Sequence, residues 1–142
     1  MAVWVSNTIT DSYGRAVLWV SHTTVVFGIG SRNREPSVIG FGLLESAYSG
    51  ALEFELRARG HLVEREFWTD VFYKGHPIAR QRLDMIVNRV VVLEIKATER
   101  LPDFARRQLL NYLTATKLDL GLILHFGPEA KVHRLINTKH SP

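Results

Sequence analysis

Residues 82–97 read RLDMIVNRVVVLEIKA. The stretch holds two runs of apolar, mostly β-branched residues on either side of a short polar turn. Asp84, Glu94 and Lys96 stand inside these runs. A charge in a buried strand is costly unless it is paired or binds a metal. Side chains alternate faces along a strand, so Glu94 and Lys96 share one face, and Val91, Leu93 and Ile95 make the other wholly apolar. A two-residue loop, Asn88-Arg89, would set Asp84 on the face away from Glu94. A three-residue loop, Asn88-Arg89-Val90, pairs 87 with 91, 86 with 92 and 84 with 94. Three-residue hairpin loops are a common class, and Asn accepts unusual turn dihedrals. This register predicts Asp84 directly across from Glu94, with Cβ atoms roughly 5 Å apart. Carboxylates that close repel unless a hard divalent cation lies between them. Mg²⁺ takes oxygen ligands, usually one or two carboxylates with waters and substrate phosphate. Lys96, on the same face, suits holding a water or stabilising negative charge. The alternative is a structural ion cluster in which Lys96 neutralises both carboxylates. These three residues alone serve both readings equally, and E-x-K alone is a weak signal.

The chain has 142 residues, the length of one domain, enough to bury a core without staples. It has no cysteine, which removes disulfides, thiolate catalysis and zinc–thiolate sites and suits a reducing, cytoplasmic setting. The net charge of +4 and pI of about 9.7 are compatible with nucleic acid and equally with ordinary solubility. No repeat or low-complexity run is visible. Residues 16–30 are too short and too polar to span a membrane, and the start, MAVWVSNTITD, lacks the basic region of a signal peptide. No membrane partner is expected.

Residues 1–37 form an atypical, β-rich N-terminal segment, with residues 17–20 and 24–29 suited to a hairpin or an added edge and 31–37 to a loop. Residues 38–142 form the main domain. Its first helix is expected from Gly42 or Leu43 to Gly60, with Leu44, Ala47, Tyr48, Ala51, Leu52 and Leu56 as its apolar stripe. Glu45 lies at the edge of that stripe. By spacing alone such a carboxylate is more often a satisfied boundary residue than a functional one. A strand over 61–73, a turn at Lys74-Gly75-His76-Pro77, and strands 78–87 and 90–97 give an antiparallel meander. A second helix is expected over 102–116, with Leu109, Leu110 and Leu113 on its apolar face and Gln108 and Tyr112 as neighbours four apart. LGLILHF, residues 120–126, reads as a central strand reached by a parallel crossover, and residues 131–136 as an edge strand. The last four residues read as a frayed tail. The six histidines lack ligand spacing, and His125 reads as a polar residue at a sheet end. The class is α/β: a central mixed sheet flanked by helices.

Gly42-Leu43-Leu44-Glu45-Ser46-Ala47-Tyr48 has the form G-x-x-E-x-x-Y. It is followed in order by ALEFELRARG, YKG, RLDMIV, VVVLEIKA, QLLNYL and LGLILHFG. This order of blocks, over about residues 38–136, resembles the GxxExxY protein family, a bacterial and archaeal branch of the PD-(D/E)XK nuclease superfamily. The resemblance implies a restriction-endonuclease-like core of αβββαβ order. It also implies a nuclease hydrolysing phosphodiester bonds of DNA, or of RNA, with Mg²⁺ as cofactor and Mn²⁺ as a substitute. Asp84 matches the metal-binding aspartate, and Glu94 and Lys96 the (D/E)-x-K. The metal ligands it implies are Asp84, Glu94 and the Ile95 backbone carbonyl, with Lys96 on the attacking water. Glu45 matches the first-helix glutamate that approaches the metal or orients the site. Gln108 and Tyr112 match a Q-x-x-x-Y element that contacts the nucleic acid. Leu83 stands where the superfamily has proline, and residues 36–41 stand where the family has an amphipathic helix. The alternative function is an inactive nucleic-acid-binding or protein-interaction module on the same fold. A homodimer is compatible with the resemblance, because many nucleases of the superfamily work as dimers.

Overall fold

The computed structural model describes residues 9–10, 16–20, 23–27 and 42–138. The expectations for the 31–37 loop, the boundary at 37/38, residues 38–41 and the last four residues lie outside them. Three short strands, β1 (Ile9–Thr10), β2 (Ala16–Val20) and β3 (Thr23–Phe27), form an antiparallel sheet. The rest runs α1 (Glu45–Ala58), β4 (Val63–Tyr73), β5 (His76–Val87), β6 (Val91–Lys96), α2 (Ala105–Thr116), β7 (Leu120–Phe126) and β8 (Ala130–Ile136). The five strands lie in sequence order. β6 and β7 are parallel and joined through α2, and every other pair is antiparallel. This is the mixed α/β sheet in αβββαβ order, with β8 added at an edge.

Every residue of β6 and β7 is buried, because helices cover the sheet on both faces. On one face Tyr48, Leu52 and Leu56 of α1 pack on Met85, Leu93, Ile95, Leu122 and Leu124. On the other, Leu109, Tyr112 and Leu113 of α2 pack on Ile86, Val92 and Ile123. Several local expectations shift. Helix α1 starts at Glu45, because Leu44 holds an extended backbone (φ −67°, ψ 152°). Leu44 and Ala47 are therefore exposed, and the buried stripe is Tyr48, Leu52 and Leu56. Helix α2 starts at Ala105 after a turn in which the Pro102 carbonyl accepts the Ala105 N–H at 2.9 Å. Its sheet-facing stripe is Ala105, Leu109, Tyr112 and Leu113, which turns Leu110 to solvent and gives Tyr112 the expected place of Leu110. The β4–β5 turn is only Lys74 (φ 47°) and Gly75 (φ 80°), with His76 and Pro77 already in β5. Two left-handed central residues match the twist of the flanking strands.

The β5–β6 loop has the three residues the register required. Val87 pairs with Val91, Ile86 with Val92 and Met85 with Leu93. Asn88 (φ 53°) and Arg89 (φ 55°) are left-handed. Asn88 also ties this loop to the start of β4. Its Oδ1 accepts the Leu62 N–H at 2.9 Å, and its Nδ2 lies 2.9 Å from His61 Nδ1. Asn88→Ala loses both contacts and places a less tolerant residue in the left-handed region. It is expected to cost about 1–3 kcal/mol in urea denaturation; an unmoved midpoint would contradict this.

Candidate active site

The β5–β6 ladder stops at Met85–Leu93, one step short of Asp84. On the other side of β5, Arg65 pairs with Met85 and Phe67 with Leu83, while Glu66 between them is left-handed at φ 49°. Met85 belongs to the α1-side core, and Leu83 to the α2-side core. Residues two apart on a regular strand face the same way, so β5 turns over at Asp84. The sequence register set Asp84 across from Glu94. Here the next ladder step is replaced by a side-chain bond, in which Asp84 Oδ2 accepts the Ile95 N–H at 2.8 Å.

Glu94 is only 2% exposed. Its Oε1 accepts a hydrogen bond from Lys96 Nζ at 2.8 Å, while its buried Oε2 has no hydrogen-bond partner among the described residues. Lys96 Nζ also lies 5.9 Å from the centre of the Phe104 ring. Burial first, and then the Asp84 charge, push Glu94 up to about 7 against the pull of Lys96. Burial also raises Asp84, with the Ile95 N–H opposing. For Lys96 burial acts downward, but the hydrogen bond and charge of Glu94 outweigh it, so Lys96 is raised and stays an ammonium.

These shifts give a signed expectation for the metal-free protein. The folded state holds the Glu94 proton to about pH 7, while an ordinary glutamate releases it near 4.5. The resulting stability is fully present below pH 4.5 and is lost as pH rises through 7. Melting temperatures in EDTA should fall across that window more in the parent than in Glu94→Gln. Parallel profiles would contradict the shift.

The other expected site residues lie on the two helices that pack against this part of the sheet. Glu45, in the first turn of α1, accepts the Ala97 N–H through Oε1 at 3.2 Å, just past the end of β6. Its charge acts on Asp84, Glu94 and Lys96 together. On α2, Gln108 Nε2 donates to Tyr112 Oη at 2.7 Å, and Gln108 Oε1 is buried without a hydrogen-bond partner among the described residues. Burial and then the charge of Glu94 raise Tyr112.

Sequence reasoning gave Tyr48 no role beyond the apolar stripe. Its ring stacks on Phe126 at 4.3 Å with 3° between the planes, and Oη accepts the Leu43 N–H at 3.4 Å. It thus fastens the start of α1, and with it Glu45, to the end of β7. Its place three residues after Glu45 was the available signal. His125 is buried, with Nε2 2.7 Å from the Thr98 carbonyl oxygen, and is a satisfied structural residue. Among the described residues no three acidic, histidine or cysteine side chains converge on one point. Any metal here would rest on two carboxylates, a number that suits Mg²⁺.

A family model described as PD-(D/E)XK nuclease superfamily matches residues 33–136, which include all six candidate side chains. The chain belongs to the PD-(D/E)XK nuclease superfamily. The crystal structure of SSO0001 is similar in fold, with a TM-score of 0.50 and 18% identity, covering 65% of this chain and 49% of that one. This chain thus spans about half the length of that structure. No curated protein matches. PD-(D/E)XK nucleases generally use divalent metal ions. Among the described residues no helix is long and apolar enough to cross a membrane.

Proposed function

We propose that this PD-(D/E)XK protein is a divalent-metal-dependent nuclease that hydrolyses phosphodiester bonds, with Asp84, Glu94 and Lys96 as its catalytic group. The observation that carries the reading is the buried Glu94 Oε2 without a hydrogen-bond partner among the described residues. An unpaired buried carboxylate oxygen is costly, and a structural ion cluster gives no reason to keep one. A metal ion does. The raised Glu94 and Asp84 fit too, because each is a carboxylate held at a cost that a bound cation removes.

Asp84, Glu94 and the Ile95 carbonyl would hold the ion, with Mg²⁺ favoured by the all-oxygen donor set and Mn²⁺ as a substitute. When bound, the ion supplies Lewis-acid polarisation of the phosphate and acidification of water. The chain's own residues do the rest. Asp84 is fixed by the Ile95 N–H through one oxygen, so its other oxygen is the ligand. Lys96 remains a cation at neutral pH and would orient the attacking water or balance charge developing on the phosphate. Glu45, held on the Ala97 N–H, positions the end of β6. The Gln108–Tyr112 pair presents polar groups to the nucleic acid, for which DNA is the first substrate to try.

Calorimetric titration of Mn²⁺ into the purified protein tests the ion site. Binding is expected in the parent, lost in Asp84→Ala/Glu94→Ala, and strengthened as pH rises from 6 to 8, because Glu94 must shed its proton. Equal binding by parent and double variant would remove these carboxylates from the site. No binding by the parent would favour a fold without turnover.

A further inference from the structure

β5 pairs with β6 over only Met85–Val87, whereas it pairs with β4 from Val87 back to His76. Beyond Asp84 the β4–β5 hairpin is therefore a two-stranded arm leading away from the carboxylates. A two-stranded ribbon in water has little to hold it. This one also carries large apolar side chains into solvent: Trp68 is 52% exposed, Phe72 62% and Tyr73 61%. Trp68 pairs with Arg82 and Asp70 with Arg80, which puts these four on one exposed face, while Phe67, Thr69, Gln81 and Leu83 face the other way and are more covered. The Arg80 guanidinium lies 5.2 Å from the centre of the Trp68 ring, and Lys74 Nζ lies 5.5 Å from that of Tyr73. Each of these two exposed rings thus has a cation over it.

We infer that this arm binds unpaired nucleotides and leads them to the carboxylate site. The inference rests on the nuclease reading and narrows its substrate to a single-stranded stretch. Exposed aromatic rings stack on bases whatever their sequence, and arginine and lysine beside them meet the phosphates. Among the described residues, the carboxylates paired with Arg80 and Arg82 are Asp70 at 3.4 Å and Glu66 at 3.5 Å. Such exposed pairs are weak, so exchanging the carboxylate for a phosphate costs little. Arg80 and Arg82 stand one two-residue step apart along β5, roughly 7 Å. The Trp68–Arg82 row thus ends two residues before Asp84, where the strand turns over. A second copy of the chain is the competing occupant, but the cations over both rings fit a polyanion better than an apolar contact.

The test is fluorescence anisotropy of a labelled single-stranded oligonucleotide in EDTA, which reads binding whether or not the site hydrolyses. Trp68→Ala/Tyr73→Ala is expected to weaken binding about tenfold or more, with duplex binding changed less and Trp68→Phe retaining most affinity. Arg80→Ala should weaken binding and flatten its salt dependence. Circular dichroism checks that these exposed substitutions leave the fold intact. Unchanged single-strand affinity in the double variant overturns the inference, as does absence of binding by the parent. So does a parent dimer, seen in sedimentation, that the double variant breaks into monomers. Cleavage combined with arm-independent binding would sink the arm alone. Arm-dependent binding with no cleavage under any divalent ion would sink the nuclease reading alone.

Discussion

Lys96→Ala is expected to fold and to lose about 10²–10³-fold in divalent-dependent cleavage, the loss typical when one fixed charge-stabilising donor is removed. Among the described residues Lys96 is the one cation bonded to the Glu94 carboxylate, and it stays charged because Glu94 raises it. Removing it does not strand a buried anion. Glu94 already titrates at about 7, and without its cation burial drives it higher, so it takes up a proton instead. This makes the fold tolerant and separates two effects. Metal affinity of Lys96→Ala near pH 7 should weaken because Glu94 is protonated, and should recover at higher pH. Cleavage should not recover with it, since the missing ammonium acts on the water or the phosphate. The loss should fall mainly on kcat. Undiminished cleavage by the pure variant would remove Lys96 from the mechanism.

Asp84→Asn is expected to cut Mn²⁺ affinity by at least about tenfold while leaving the metal-free protein as stable as the parent or more so. The amide oxygen can still accept the Ile95 N–H, so the bond that replaces the ladder step survives. The negative charge does not. Asp84 is raised by its own burial and in turn raises Glu94, so its ionised form is strained in the metal-free protein. Neutralising it relieves both carboxylates. A structural ion cluster predicts the reverse, because there Asp84 would be a partner that Lys96 needs. Thermal melts with and without Mn²⁺ decide between them. A variant markedly less stable than the parent in EDTA, with undiminished stabilisation by the ion, would contradict the metal-site account.

The part of the site legible in the sequence was the part set by strand period. The loop at 88–90 followed from requiring Asp84 and Glu94 on one side, and the pairs Val87–Val91 and Ile86–Val92 are those it demands. The left-handed Asn88 was readable because Asn tolerates that region. The final step to Asp84 was not, because it depends on β5 turning over beside a left-handed Glu66, and glutamate carries no local preference for that backbone. The helix phases failed by small amounts for a similar reason. Leucine at 44 and at 110 fits an apolar stripe on composition, but the helix start at Glu45 and the packing of Tyr112 decide which residues face the sheet. The arm was read only as strand material. Trp68, Phe72 and Tyr73 look like core residues until the short β5–β6 pairing shows that, among the described residues, no third strand joins this part of the hairpin.

The most direct measurement is cleavage of labelled single-stranded DNA, duplex DNA and RNA by the pure protein in Mg²⁺, in Mn²⁺ and in EDTA, beside Asp84→Ala/Glu94→Ala prepared identically. The account predicts divalent-dependent cleavage of at least one substrate, absent in EDTA and absent in the double variant. Equal cleavage by the double variant, or none by the parent on any substrate in either ion, would contradict it.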